Sequence, residues 1–552
     1  MRLDMGQLMK RVFYPLIIML AGLMTGCGEE DMPAVVDPED YGSNTDEPAR
    51  PEIAADTLYN REAVIPPQCY TKTEGVNNPC YTCHQTYSDP KRPNSMEDGF
   101  LQGDYNFSDL GVHNHWSNLF VDRRDDVAGI SDGEIEDYVS TDNYSDFIER
   151  LQDDENWSGP VPAIEDLADG AAAFDDYGLA KDGSGWVAFN YKPLPSTFWP
   201  TNGSTDDVII RLPERFRTAS CGDDVSRFSQ DVYFTNLAIL EMAMKDLPEI
   251  STPLIEENKV CADLNNDGIL SEVVSIGARP SYVGAASGQK VERMAYPEGT
   301  QFIHTVRYVG FDGDEIVPSK RMKEVRYMKK VKHYSVAELA SLYGNERQEK
   351  IDGNLPVYSD HGDKGLNNGM GWEVLGFIED GEGELRKQTY QEQMFCMGCH
   401  GTIGTTIDQT FAFPRKVTGA NGWGYIDLKG MADAPNMDEK KGEILQYLGR
   451  VGGGNEFREN PEMKARWFNE DGSVRESAVL NADVYALITP SRERALALNK
   501  AYKIIVDEQS YVYGRDATVV PAKNVFRELD PEKAAPLEAA SRVNHWDIRL
   551  DW

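Results

Sequence analysis

Two short stretches far apart in the chain repeat one pattern, and any fold must accommodate what that pattern binds. "NNPCYTCHQ" holds Cys80, Cys83 and His84, and "MFCMGCHG" holds Cys396, Cys399 and His400. Two thiols separated by two residues can add to the two vinyl groups of a haem, and the histidine that follows is left beneath the iron. C-x-x-C also serves redox dithiols and half-sites of structural zinc. Neither of those uses asks for a histidine directly after the second cysteine in both copies, and zinc would need a closed set of four ligands. Covalent haem c at both sites is the expected cofactor.

The N-terminus points to the compartment where such attachment occurs in bacteria. Arg2, Lys10 and Arg11 precede the apolar run "VFYPLIIMLAGLM", which is short for a membrane span and ends in "MTGC". Residues 1–26 read as a secretory signal and Cys27 as the lipidated cysteine of a lipobox, with ordinary cleavage nearby as the alternative. Several acyl chains would then hold the protein to the membrane. Residues 27–56 are rich in Asp, Glu and Pro and poor in aromatics, so they read as a flexible tether. The chain carries 55 Lys and Arg against 92 Asp and Glu, a net charge of −37, which makes nucleic acid a poor partner.

With "MTGC", "CYTCH" and "CMGCH" in place, the chain resembles exported di-haem c-type cytochromes anchored as lipoproteins. The stretch "GYIDLKGMADAPNMDEKKGEILQYLGRV" is similar to class I cytochrome c in its order: attachment motif, methionine loop, helix. That resemblance implies His400 as proximal ligand, Met431 as distal ligand and a closing helix from about residue 438 to 450. His113 or His115 is the candidate sixth ligand of the first iron, against hydrogen bonding within a loop. His361 is a further candidate for the second iron, and His304, in an alternating strand, is expected to be structural. A filled sixth position would make a redox relay, whereas an open one could bind a small oxidant, as in di-haem peroxidases.

Three cysteines remain, of which Cys221 and Cys261 are the preferred disulfide and Cys69 is left over. In "CADLNNDGILSE", Asp263, Asn265, Asp267, Ile269 and Ser271 follow the first half of an EF-hand-type calcium loop, with Gly268 at the sharp turn. The twelfth position is Val274 in place of a carboxylate, and an Asx-rich turn between strands is the alternative reading.

Periodicity gives the rest. "DVIIRLP", "SEVVSIG", "QFIHTVRYVGF" and "MKEVRYMKKV" alternate as strands do, while "SVAELASLYG" opens on a Ser335–Glu338 capping box. In "TPSRERALALNKAYKIIVDEQ" a Thr cap before Pro490 would start a helix that puts Leu498, Tyr502 and Ile505 on one face. The expected fold is mixed α+β: a loop-rich haem region over residues 57–184, a β-rich centre over 185–335 and a mainly helical haem region over 336–552. The expected function is electron transfer at the bacterial envelope, with redox proteins or a small oxidant as partners. A peroxidase-type oxidoreductase with one open haem is the alternative. Gly28 after the lipid cysteine favours the outer membrane.

Overall fold

The computed structural model describes residues 58–552 except 88–91, 93–96, 197–198, 223–224, 402, 453–459 and 531. The signal segment, Cys27 and the tether lie outside the described residues. Three helices, Arg124–Gly129 (α1), Asp132–Ser140 (α2) and Ser145–Asp153 (α3), precede the strands Val187–Ala188 (β1) and Thr205–Arg211 (β2). Gln230–Lys245 (α4) leads into an antiparallel pair, Glu249–Glu256 (β3) and Glu272–Gly277 (β4), with Glu257–Val260 (α5) between them. A long hairpin follows, Gln301–Asp312 (β5) and Glu315–Lys330 (β6), then Val336–Ile351 (α6). Four shorter strands come next: Ser359–Asp360 (β7), Leu366–Asn367 (β8), Trp372–Glu379 (β9) and Leu385–Lys387 (β10). Tyr390–His400 (α7), Glu443–Val451 (α8), Pro461–Trp467 (α9), Glu476–Leu480 (α10), Val484–Ile488 (α11) and Arg492–Glu508 (α12) complete a mixed α+β chain.

The main sheet has the order β1-β2-β5-β6-β9-β8-β7, with β10 also paired to β9, and every pairing is antiparallel. Its last strand ends at Lys387, so the β-rich part of the chain runs past residue 335. The β5–β6 hairpin turns at Gly313, whose φ of 58° suits a residue without a Cβ in a two-residue loop.

Alternation assigns the two faces of the sheet. Ile209, Ile303, Val325, Leu375 and Phe377 pack with Phe147 and Ile148 of α3 and with Trp186. Register puts Val208, His304 and Arg326 side by side on the other face, with Phe302, Met328 and Val374 one step along it. Phe302, Met328 and Val374 share a core with Met394, Cys396 and Met397 of α7. This face therefore meets the helix that carries the second cysteine motif.

Local signals explain where the helices begin. Thr389 accepts from Glu392 N, and the Glu392 side chain returns to Thr389 N, so a capping box fixes the start of α7, whose other end is His400 of the motif. Ser335 and Glu338 make the same box at α6. The start of α12 differs from the expected Thr cap: Ser491 is the cap, accepting from Arg494 N, and Pro490 stands before it. Thr489 instead ends α11, donating its hydroxyl to Tyr485 O. Leu498, Tyr502 and Ile505 are buried together as the spacing required.

Candidate functional site

The first motif is wound into one tight turn. Cys83 N and His84 N both donate to Cys80 O, at 3.1 and 2.9 Å, and Tyr81 N donates to Asn78 Oδ1 at 3.1 Å. That turn brings Cys80, Cys83 and His84 to one cavity, open to solvent. Cys69, Tyr105, Lys350 and Leu537 line the same cavity. His84 Nδ1 lies 3.1 Å from Asp98 Oδ2, which leaves Nε2 as the nitrogen available to a metal.

The second motif occupies the last turn of α7. Cys396 and His400 line a second cavity, bounded on its other side by the sheet face carrying Phe302, His304, Arg326 and Met328. His400 Nδ1 lies 3.0 Å from Gln409 O, and Phe411 meets the imidazole edge-on at 5.7 Å. Burial takes the His400 imidazole down to about 4, with His304 and Arg326 pushing the same way against the Gln409 carbonyl. The ring is neutral at neutral pH, the form in which histidine binds metals.

The two cavities are neighbours. Cys399 lines the first cavity with Cys83, while Cys396, one helical turn earlier, lines the second. The helix turn between them, Met397 and Gly398 included, forms part of the wall that separates them. A Cβ on Gly398 would stand 2.6 Å from Val64 O, so the chain beside the first motif presses directly on this wall. Asp98 ties the motifs together: it receives Gln85 N at 3.0 Å and Gly404 N at 3.1 Å, with Lys350 Nζ 3.6 Å away. Burial would raise the Asp98 carboxyl, but His84, Lys350 and the Gly404 N–H outweigh it and hold it below the usual range.

Competing chemistries fit these residues poorly. Burial pushes the Cys80 and Cys399 thiols up to about 11 and raises those of Cys69, Cys83 and Cys396 as well. Redox-active dithiols need the opposite shift. Among the described residues no three of His, Cys, Asp and Glu converge as a small metal ion would require, which argues against a zinc half-site. A planar macrocycle asks for different things: a large apolar cavity, two thiols at its edge and one imidazole whose second nitrogen is held. Both cavities offer the imidazole, and the first offers both thiols of its motif.

The residues singled out as sixth ligands do not stand in these cavities. His113 joins Glu528 in a backbone bridge, and His115 packs at 6.0 Å against the Tyr59 ring; neither lines the first cavity. His361 is 40 % exposed and pairs with Glu373 at 2.8 Å. Met431 is a core residue whose backbone pairs with Leu428 and Val484, and α8 begins at Glu443, not at about residue 438. His304 is the reverse case. Strand alternation made it look structural, but its face of the sheet is the wall of the second cavity. The missed signal was its register beside Arg326, with Asp206 two residues from Val208 on the same face.

Apart from Cys69, the remaining features lie outside the two cavities. Cys221 and Cys261 form a disulfide with Cα atoms 6.4 Å apart, and Cys69 is a free thiol. In the Asp263–Ser271 loop, Asp263 accepts from Asp267 N and Gly268 N, and Asp267 accepts from Ile269 N. Asn265 donates to Asp267 at 2.8 Å, and buried Glu257 accepts from Ser271 N and Leu264 N.

Among the described residues no helix is long and apolar enough to cross a membrane. A lipoprotein family, described as "-like lipoprotein", matches residues 53–485. An "Uncharacterized lipoprotein" of Aquifex aeolicus (strain VF5) is 31% identical over 546 residues, covering 87% of this chain and 91% of its own length. No solved structure matches. These findings correct the expected kinship with class I cytochromes c, di-haem peroxidases and other di-haem cytochromes: the similarity that spans the chain is to lipoproteins. Short motifs had carried that resemblance, and five-residue patterns fix local chemistry without fixing ancestry. A lipoprotein is held at a membrane of the cell envelope by its acyl chains, and on a match covering most of its length this chain belongs to the "-like lipoprotein" family.

Proposed function

We propose that each cysteine motif attaches a haem c and that the protein moves electrons between the two. The observation that carries this reading is the shared wall: Cys83 and Cys399, from motifs 316 residues apart in sequence, line one cavity. A covalently held haem supplies one-electron chemistry, with potentials tuned by ligands, burial and hydrogen bonds. The chain's own part is to hold His84 through Asp98 and His400 through the Gln409 carbonyl, and to keep Arg326 and Arg415 at the second cavity.

The first cavity favours one variation on this reading. Among the described residues, His84 is the only histidine that lines it, and it is open to solvent. A small oxidant entering there would make the protein an oxidoreductase of peroxidase type, fed by the second site. Attachment to the membrane runs through acylated Cys27, and Gly28 favours the outer membrane.

Expression with a c-type haem maturation system, followed by denaturation and measurement of the haem that stays with the polypeptide, tests the assignment. Two covalent haems per chain are expected, falling to one in Cys80→Ala/Cys83→Ala and to one in Cys396→Ala/Cys399→Ala. A wild-type chain that carries no covalent haem overturns the proposal.

A further inference from the structure

We infer that His304 is the second protein ligand of the iron held by His400, so that the second site is bound by two histidines. The inference rests on the haem reading and names the coordination that reading leaves open. Among the described residues, His400 and His304 are the two histidines that line the second cavity, and they come from different walls, the end of α7 and the first half of β5.

The setting of His304 is that of a ligand. It sits between Val208 and Arg326, its two cross-strand neighbours, with Phe302 and Met328 one step along the same face. Asp206 Oδ2 lies 3.4 Å from His304 Nε2, and the Tyr191 hydroxyl donates to Asp206 at 2.5 Å. Carboxylates placed in this way orient a metal-binding imidazole and raise its basicity, and here the carboxylate is itself held by a buried tyrosine. Asp98 holds His84 through the other ring nitrogen, Nδ1, at 3.1 Å; at His304 the carboxylate faces Nε2, which leaves Nδ1 for the iron. Met328 is the competing ligand, since its thioether also lines the cavity. Register places Met328 between Phe302 and Val374, where an apolar side chain needs no metal to account for it.

The division of labour follows. The second site would be a closed relay, and any exchangeable coordination position would belong to the first, where no second histidine is present among the described lining residues.

Near-infrared magnetic circular dichroism and electron paramagnetic resonance on the full-length, haem-loaded protein test this. The wild type is expected to show one low-spin haem with two histidine ligands. His304→Ala should keep two covalent haems, lose that signal, gain a high-spin one, and recover low spin on adding imidazole. Asp206→Asn, which preserves shape, should keep the bis-histidine signature and raise the reduction potential of one haem while leaving the other unchanged. A histidine–methionine signature at the second haem, or a bis-histidine signal that survives His304→Ala, overturns the inference. Should His304→Ala fail to accumulate, an unshifted potential in Asp206→Asn overturns it. Absence of covalent haem in the wild type would instead sink the underlying haem assignment, so the two failures are separable.

Discussion

The Cys83 carbonyl accepts the Thr405 N–H at 3.1 Å, which binds the middle of the first cysteine motif to a residue just past the second. One residue earlier, Gly404 N reaches Asp98, the carboxylate that holds His84. The two motifs are thus parts of one hydrogen-bonded unit, and changes at this junction are felt by both cavities.

Asp98→Ala removes the acceptor shared by His84, Gln85 N and Gly404 N, all at a buried position. Leaving such donors without a partner costs about 2–4 kcal/mol. Denaturant unfolding should show this loss, with Asp98→Asn intermediate because it keeps one oxygen acceptor.

Gly404→Ala has no room. The added Cβ would stand 2.2 Å from Gln85 O and 2.4 Å from Asp98 Oδ1, and the first of these is backbone that cannot rotate away. Forced separation of the two motif segments should destabilise by about 1–3 kcal/mol. A melting temperature equal to wild type would contradict the close packing of this junction.

Glu443 and Arg415 form a fully buried pair at 2.5 Å, with Lys192 Nζ 3.2 Å from the same carboxylate. Burial opposes ionisation of Glu443, but Arg415 and Lys192 overcome it and hold the carboxyl down to about 2. A folded value below the unfolded one gives stability that is fully present above the unfolded pKa near 4.5 and is lost as pH falls through about 2. Acid titration of stability should show this slope in the wild type and lose it in Glu443→Gln. That variant should also be weaker by about 3–5 kcal/mol at pH 7, because Arg415 is left buried without its counter-charge.

The Cys221–Cys261 disulfide closes a loop with a sequence separation of 40. In the chain-entropy treatment such a loop contributes about 4 kcal/mol. Cys221→Ser/Cys261→Ser should unfold at correspondingly lower denaturant, and the wild type under reducing conditions should match it. Because the disulfide flanks the Asp263–Ser271 loop, faster amide exchange there should accompany its loss.

Much of the local structure was legible in the residues alone. Alternation marked β2, β4, β5 and β6, the Ser335–Glu338 box marked α6, and the spacing of Leu498, Tyr502 and Ile505 marked the buried face of α12. These succeed because a period of two or 3.6 residues and a cap are set by neighbours in sequence. The two C-x-x-C-H pentads were likewise visible as chemistry, since the thiols and the imidazole are held by the same turn.

What faces each motif across its cavity could not be read that way. His113, His115, His361 and Met431 were attractive because they lie near a motif in sequence, and the fold carries all four elsewhere. His304 lies 96 residues before His400 and reaches its cavity only because β5 is an interior strand whose apolar face meets α7. Strand alternation tells which residues share a face, but only the packing of helix on sheet tells which face becomes the wall. The sequence by itself determined the two C-x-x-C-H patterns and most secondary structure, all of them short-range. Tertiary structure decided that the two motifs are neighbours and that His304 stands opposite His400, because contacts between distant segments depend on which buried surfaces fit together.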